Sequence, residues 1–275
     1  MVTLKEKLKG KIGQKQLAHL ITSYDIIGDL IVIEIKKELV SKEKIIAKSL
    51  LELHKNIKVV CKRVGIHSGE FRTQKVKIIT GERRKKALYK ELGTRLYVHV
   101  ENVYFSPRLS TERKRIMEQI KPGEKVLVMF SGCAPYPCVF GRNTKAAEIV
   151  GIEINPYGHK LGLENVKLNK LKNVRLYLGD VRKVIPKLKE KFDRICMPLP
   201  KSAEDFLDTA LLVAHKGTII HFYDFLHEDR FSEAKDKVYR ACKNAEKKCE
   251  IISLNKCGSH APHIFRICVD FKVNN

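Results

Sequence analysis

Residues 121–156 read KPGEKVLVMFSGCAPYPCVFGRNTKAAEIVGIEINP. Residues 125–130 (KVLVMF) form a short apolar run, 131–137 (SGCAPYP) are turn formers, and 149–154 (IVGIEI) are a second apolar run carrying Glu153. That pattern predicts a strand, a tight turn, a helix and a parallel strand. In such a βαβ unit a ligand sits beyond the carboxyl ends of the strands, and an acid about 20 residues after the turn accepts ribose hydroxyls. Gly132 and Glu153 have that spacing. The second and third glycines of a dinucleotide fingerprint are missing, and with them the cradle for a pyrophosphate. A site for S-adenosylmethionine, which has no pyrophosphate, tolerates that loss better than an NAD site does.

Downstream, strand-like and helical stretches alternate. VRLYLGD (174–180), FDRICM (192–197) and GTIIHFYDF (217–225) read as strands, with helices expected at 156–170, 184–188, 202–214 and 232–245. CEIISLNKC (249–257) and HIFRICVDFKV (263–273) close the chain as two more strands. Alternation of this kind predicts a doubly wound parallel sheet with an antiparallel edge, the strand inventory of a class I, Rossmann-like S-adenosylmethionine-dependent methyltransferase. Upstream, two short basic helical segments, a hairpin at Gly28-Asp29, a helix over 41–53 and strands at 58–64, 76–80 and 94–100 read as a small α+β module. The fold class is therefore α/β with a small α+β RNA-binding domain in front, divided as residues 1–109 and 110–275. A helix over 110–120 joins the two.

Fifty-four Lys and Arg stand against 31 Asp and Glu, a formal net charge of +23, and 44% hydrophobic content is enough for a large core. The first 100 residues are the more basic part, with 23 Lys and Arg against 10 acids. An excess this large points to a polyanionic partner, and the run Arg83, Arg84, Lys85, Lys86 is the expected phosphate contact. Eight scattered cysteines, several inside apolar runs, read as reduced core residues of a cytoplasmic protein. Cys133 and Cys138 lack a second pair at ligand spacing, so no metal is expected. No apolar run reaches membrane-span length, and no apolar leader with a cleavage site opens the chain. A soluble, cytoplasmic monomer is the expectation.

Asp180 closes the third strand, where a carboxylate accepts the exocyclic amine of an adenine, while Glu153 suits the ribose and the Gly132 turn the methionine moiety. Three stretches then carry a resemblance: SYDIIGD (23–29), VYFSPRLSTER (103–113) and INP (154–156). They resemble the archaeal and eukaryotic tRNA guanine-37 N1-methyltransferase family, whose wider group holds the aminocarboxypropyltransferase of wybutosine synthesis. The similarity runs from about residue 21 to 272, and the SPRLxxER block is its most specific part. Arg108 within it tips the choice toward methyl transfer.

The resemblance implies an enzyme that binds S-adenosyl-L-methionine and a tRNA anticodon stem-loop. Glu112 matches the general base, Arg72 the arginine that steadies the guanine, and Tyr104, Arg108 and Arg113 the residues that position them. Cofactor contacts are implied for Arg108, Phe130, Gly132, Glu153, Ile154, Asp180 and Val181, and substrate contact for Pro198. Guanine N1 carries a proton at neutral pH, so methylation needs a carboxylate to take it. Val128 stands where the family's first strand has an acid. Pro198 stands where the catalytic strand end has an asparagine, so any side-chain acceptor there is lost and backbone carbonyls of Cys196 or Met197 are the substitutes. A small extra N-terminal domain found in many archaeal members is not expected. The alternatives are 3-amino-3-carboxypropyl transfer from the same cofactor and a catalytically silent RNA-binding relative.

Overall fold

The computed structural model describes residues 2–199 and 201–275, with the His67 side chain left aside. It divides into two compact units, one of residues 1–90 and 95–107 and the other of residues 91–94 and 108–275.

The first unit is built on a four-stranded sheet of β1 (Tyr24–Ile27), β2 (Leu30–Ile33), β3 (Val59–Ser68) and β4 (Thr73–Gly81) in that spatial order. β1 and β2 form the hairpin expected at Gly28-Asp29, and β2 runs parallel to β3. The helices α1 (Leu4–Leu8), α2 (Gln14–Leu17) and α3 (Glu43–Leu53) accompany the sheet. Leu4 and Leu8 of α1 and Ile46 and Leu50 of α3 bury against Ile31, Ile33 and Val60 of the strands. That arrangement follows from their spacing, since positions three and four apart share one helical face. The basic stretch at 81–90 proves to contain a strand. β5 (Lys86–Glu91) pairs in a two-stranded sheet with β6 (Thr94–His99), and its alternation was masked by the four cations before Ala87.

In the second unit α4 (Ser110–Met117) precedes β7 (Lys125–Met129), α5 (Pro135–Asn143), β8 (Glu148–Glu153), α6 (Pro156–Leu168), β9 (Val174–Leu178), α7 (Val181–Leu188), β10 (Phe192–Met197) and α8 (Leu207–Leu212). β11 (Ala214–His227), α9 (Ser232–Asn244), β12 (Cys249–Ala261) and β13 (Ile264–Val273) complete it. The seven strands lie in the order β12-β13-β11-β10-β7-β8-β9. β11, β10, β7, β8 and β9 pair in parallel, and β13 and β12 add the antiparallel edge. This is the doubly wound sheet expected from the alternation. Helix α8 is shorter than expected, because Ala214 already belongs to β11, whereas α7 starts three residues early on the Asp180 cap.

Strand periodicity sorts the side chains. Leu127, Met129, Ile195 and Met197 face an apolar core with residues of α7, α8 and α9, while Val126, Val128 and Cys196 face the side of Ile116, Tyr136 and Phe140 from α4 and α5. All eight cysteines are free thiols, and all but Cys249 and Cys257 are buried. No helix among the described residues is long and apolar enough to cross a membrane. The strand order reverses between β7 and β10, which makes the carboxyl end of β7 the position where such folds hold ligands.

Candidate active site

At that end the backbone is forced into an unusual path. Phe130 (φ 61°), Gly132 (φ 58°) and Ala134 (φ 62°) all occupy the left-handed region, which costs a non-glycine residue about 1–3 kcal/mol and persists only where neighbours over-determine it. Those neighbours are identifiable. Ser131 N donates to the Ile152 carbonyl at 2.8 Å, and Ala134 N to the Ser131 carbonyl at 2.9 Å. Asn165 Nδ2 donates to the Cys133 carbonyl at 2.9 Å. Glu153, at the end of β8, accepts from Gly132 N at 2.6 Å on Oε2 and from Asn155 N at 2.7 Å on Oε1. Burial pushes the Glu153 carboxyl above its ordinary range, with the amides of Asn155 and Gly132 opposing. Helix α6 presses close: a Cβ on Gly158 would lie 3.3 Å from Glu153 Cγ and 3.5 Å from the Gly132 carbonyl.

A carboxylate has about four lone-pair sites, and the amides of Asn155, Gly132 and Ile154 act on three of them at most, so Glu153 keeps capacity for a ribose hydroxyl. Asp180, on the adjacent strand end, caps α7 by accepting from Arg182 N at 2.9 Å and is half-buried. Its other oxygen suits an amine donor. Ile154 is half-buried, and Val181 packs into the core and offers backbone only. Phe130 meets Phe206 edge to face, and Arg182 lies over the Phe206 ring at 4.2 Å from its centroid. These residues, strand end by strand end, fit an adenosine-type ligand such as S-adenosylmethionine. Asn165 and Gly158 were missed in the sequence, where neither differs from an ordinary helical residue. At the end of β10 the Met197 carbonyl already accepts from Leu199 N at 2.6 Å across the half-buried Pro198. The following Pro200 lies outside the described residues.

A second constellation lies under α4. Glu112 is 5% exposed, and both its oxygens are occupied. Oε1 accepts from Tyr223 Oη at 2.6 Å and from Arg115 Nη2 at 2.8 Å, and Oε2 accepts from Arg115 Nε at 2.8 Å. Arg115 also donates to Asp270, at 2.5 Å from Nη1 and 3.2 Å from Nη2. Asp270 is in contact with His221 Nδ1 at 2.6 Å, and His221 Nε2 with Arg194 Nη1 at 2.8 Å. Arg194 is held by Glu124 at 2.8 Å and by the Gln119 carbonyl at 2.7 Å. Guanidinium has no acceptor, so His221 Nε2 must be the bare nitrogen and Nδ1–H donates to Asp270. Burial lowers the His221 pKa in agreement, while Asp270 opposes the shift. Burial alone would raise the Asp270 carboxyl, but hydrogen bonds from His221 and Arg115 outweigh it and hold the group well below the carboxylate range. His221, Cys268 and Asp270 bring three ligand atoms within 4.8 Å of one another, a grouping invisible in the sequence. Arg115 supplies there the positive charge that a metal ion would bring.

Arg113 is placed as an anchor of α4. Its side chain is 1% exposed and makes a bidentate pair with Glu91 at 2.5 and 2.7 Å, so it fastens α4 inside the unit and is not placed to touch a substrate. Arg108, one helical turn before Glu112, is exposed.

Residues 87–252 match the TRM5/TYW2 methyltransferase domain, and residues 4–84 match the TYW2 N-terminal domain. The chain belongs to the TRM5/TYW2 family. It is 36% identical over 264 residues to the Pyrococcus abyssi tRNA (guanine(37)-N(1))-methyltransferase Trm5b, covering 96% of this chain and 78% of the relative. It is 31% identical over 256 residues to a Methanocaldococcus jannaschii tRNA(Phe) (4-demethylwyosine(37)-C(7)) aminocarboxypropyltransferase, covering 90% of this chain and 97% of the relative. A solved complex of aTrm5 and tRNALeu superposes with a TM-score of 0.87 at 33% identity, covering 99% of this chain and 78% of that one.

In this TRM5/TYW2 chain the remaining expected residues lie in the first unit. Arg72 sits in the turn between β3 and β4 at φ 49°, and burial lowers its pKa while Tyr104 opposes the shift. Tyr104 is exposed. The basic run is less free than its sequence implies. Arg84 is paired with Asp29 and with Glu82, Lys85 with Glu101 at 2.6 Å, and Lys86 lies over the Tyr97 ring, leaving Arg83 as its exposed member. Arg84 and Lys85 are therefore already engaged by local carboxylates while staying partly exposed.

Proposed function

We propose that this chain is an S-adenosylmethionine-dependent tRNA methyltransferase that methylates N1 of guanine 37. The observation that carries the reading is the 36% identity, over 96% of the chain, to a relative named for that reaction. The cofactor supplies an electrophilic methyl on a sulfonium sulfur, and Gly132, Glu153 and Asp180 are the residues that would hold it. Glu112 takes the proton that N1 loses as N1 gains the methyl, which turns a weak nucleophile into a competent one. Arg72 steadies the guanine, and an arginine near O6 stabilises the charge that gathers there. Tyr104 and Arg83 contribute to RNA contact, and Arg108 supports the cofactor and base. A loop guanine is also cheap to extrude from its stack.

A second reading is 3-amino-3-carboxypropyl transfer. It is favoured by the match of residues 4–84 to the TYW2 N-terminal domain. One experiment separates the two. Unmodified tRNA transcripts with guanine 37 are incubated with cofactor labelled in the methyl group or in the carboxyl carbon. Methyl label in tRNA, lost when guanine 37 is replaced, is the expected result. Carboxyl label moves the chain to the second reading. Neither label, with cofactor and tRNA still bound, leaves a silent RNA-binding relative.

A further inference from the structure

Two carboxylates share one guanidinium beneath α4, and they are held unequally. Asp270 receives hydrogen bonds from His221 Nδ1 at 2.6 Å, Ser253 Oγ at 3.1 Å, Asn255 Nδ2 at 3.2 Å and Cys268 Sγ at 3.2 Å, besides those of Arg115. His221 is in turn fixed by Arg194, and Arg194 by Glu124. Among the described residues, Glu112 is held by Tyr223 and Arg115. The hydroxyl of Tyr223 has a second neighbour in the buried hydroxyl of Tyr136. Each donor to Glu112 therefore has a second group at hand, and the carboxylate free to give up a bond is Glu112.

For a residue that takes a proton this asymmetry matters. A carboxylate that is the sole counter-ion of a half-buried arginine, as Arg115 is, lets go only at the cost of leaving a poorly solvated cation behind. With Asp270 in place Arg115 keeps an anionic partner whatever Glu112 does. We infer that Asp270 is a positioning residue for the proposed reaction: it retains Arg115, so that the arginine aims Glu112 without capturing it. Tyr223 is the second aiming contact. The inference rests on the proposed methyl transfer and on Glu112 as the proton acceptor.

The test is single-turnover methylation of a guanine-37 transcript by the full chain, with dissociation constants for tRNA and S-adenosylmethionine measured alongside. Asp270→Asn should slow the methylation step about ten- to hundredfold and leave both dissociation constants within about twofold, a kcat effect without a KM effect. Arg115→Gln added to Asp270→Asn should regain about tenfold or more, because Glu112 then has no cation to abandon. A merely structural Asp270 makes the double variant no faster than the single one, and that result overturns the inference, as does an Asp270→Asn rate equal to wild type. If Asp270→Asn does not fold, Asp270→Glu decides, since it keeps the charge and displaces it by one methylene. Slowed transfer with unchanged binding supports the inference, and a wild-type rate rejects it. Wild-type protein that transfers no methyl group would instead overturn the proposed function itself.

Discussion

The turn after β7 and the seat of Glu112 lie in one unit and are held in opposite ways. The turn is a backbone device: amides, carbonyls and one acid within residues 130–165 fix three residues in left-handed conformations. The seat is a side-chain device, with α4 tied to β11 and β13 by Tyr223, Arg115 and Asp270 and to residue 91 by Arg113. A site made of backbone tolerates many side-chain changes but not added atoms, whereas a site made of buried charge tolerates small changes of shape but not the loss of one partner.

The sharpest way to break the comparison is Glu112→Gln. It preserves shape and hydrogen bonding to Tyr223 but removes the proton acceptor, so single-turnover methylation should fall by about 10²–10⁴ while tRNA affinity stays within about twofold. Unchanged turnover would remove Glu112 as the base. Next comes Glu91→Gln, which removes the carboxylate that balances Arg113 in an interior where both side chains are at most 2% exposed. A loss of about 3–5 kcal/mol in urea denaturation is expected, and a loss under about 1 kcal/mol would show that Arg113 finds another partner. Gly158→Ala probes the backbone device. Its Cβ would stand 3.3 Å from Glu153 Cγ, so cofactor affinity should drop about tenfold by calorimetry while helix propensity leaves stability unchanged or up to about 1 kcal/mol higher.

The smallest effect is a pH slope. The folded-state pKa of His221 is lowered from 6.5, so unfolding takes up a proton once the pH falls below that value. Its contribution to stability is complete above the unfolded pKa and is lost as the pH falls toward the folded one, by up to about 1.4 kcal/mol per pH unit. His221→Gln should flatten the decline in urea midpoint as the pH falls below about 6.5, and an identical slope would mean that His221 is already charged beside Asp270 and Arg194.

This contrast also explains what the sequence disclosed. The parallel strands were legible because buried strands are short apolar runs, and Glu153 was legible because strand, turn and helix fix its distance from Gly132. Glu112 stands out only through the SPRLxxER block, since four charged residues on a short helix otherwise read as a solvated face. The partners of that helix were not legible. Arg115 meets Asp270 across 155 residues, and no local pattern marks such a pairing. The partners within the run at 83–86 are hidden for the same reason: Arg84 meets Asp29 and Glu82, Lys85 meets Glu101, and only the fold brings Asp29 near.

Strand β13 comes last in the sheet's sequence, yet it lies inside the sheet between β11 and β12. During synthesis the ribosome releases α4 and the whole cofactor turn long before Asp270 emerges. Until then β11 is an open edge and Arg115 has Glu112 as its only acid of the final pair. The parallel half of the sheet can assemble as it emerges, but the cradle of Glu112 closes only when the final strand inserts. A nascent or truncated chain that already grips a nucleoside would therefore still lack the finished seat for its base.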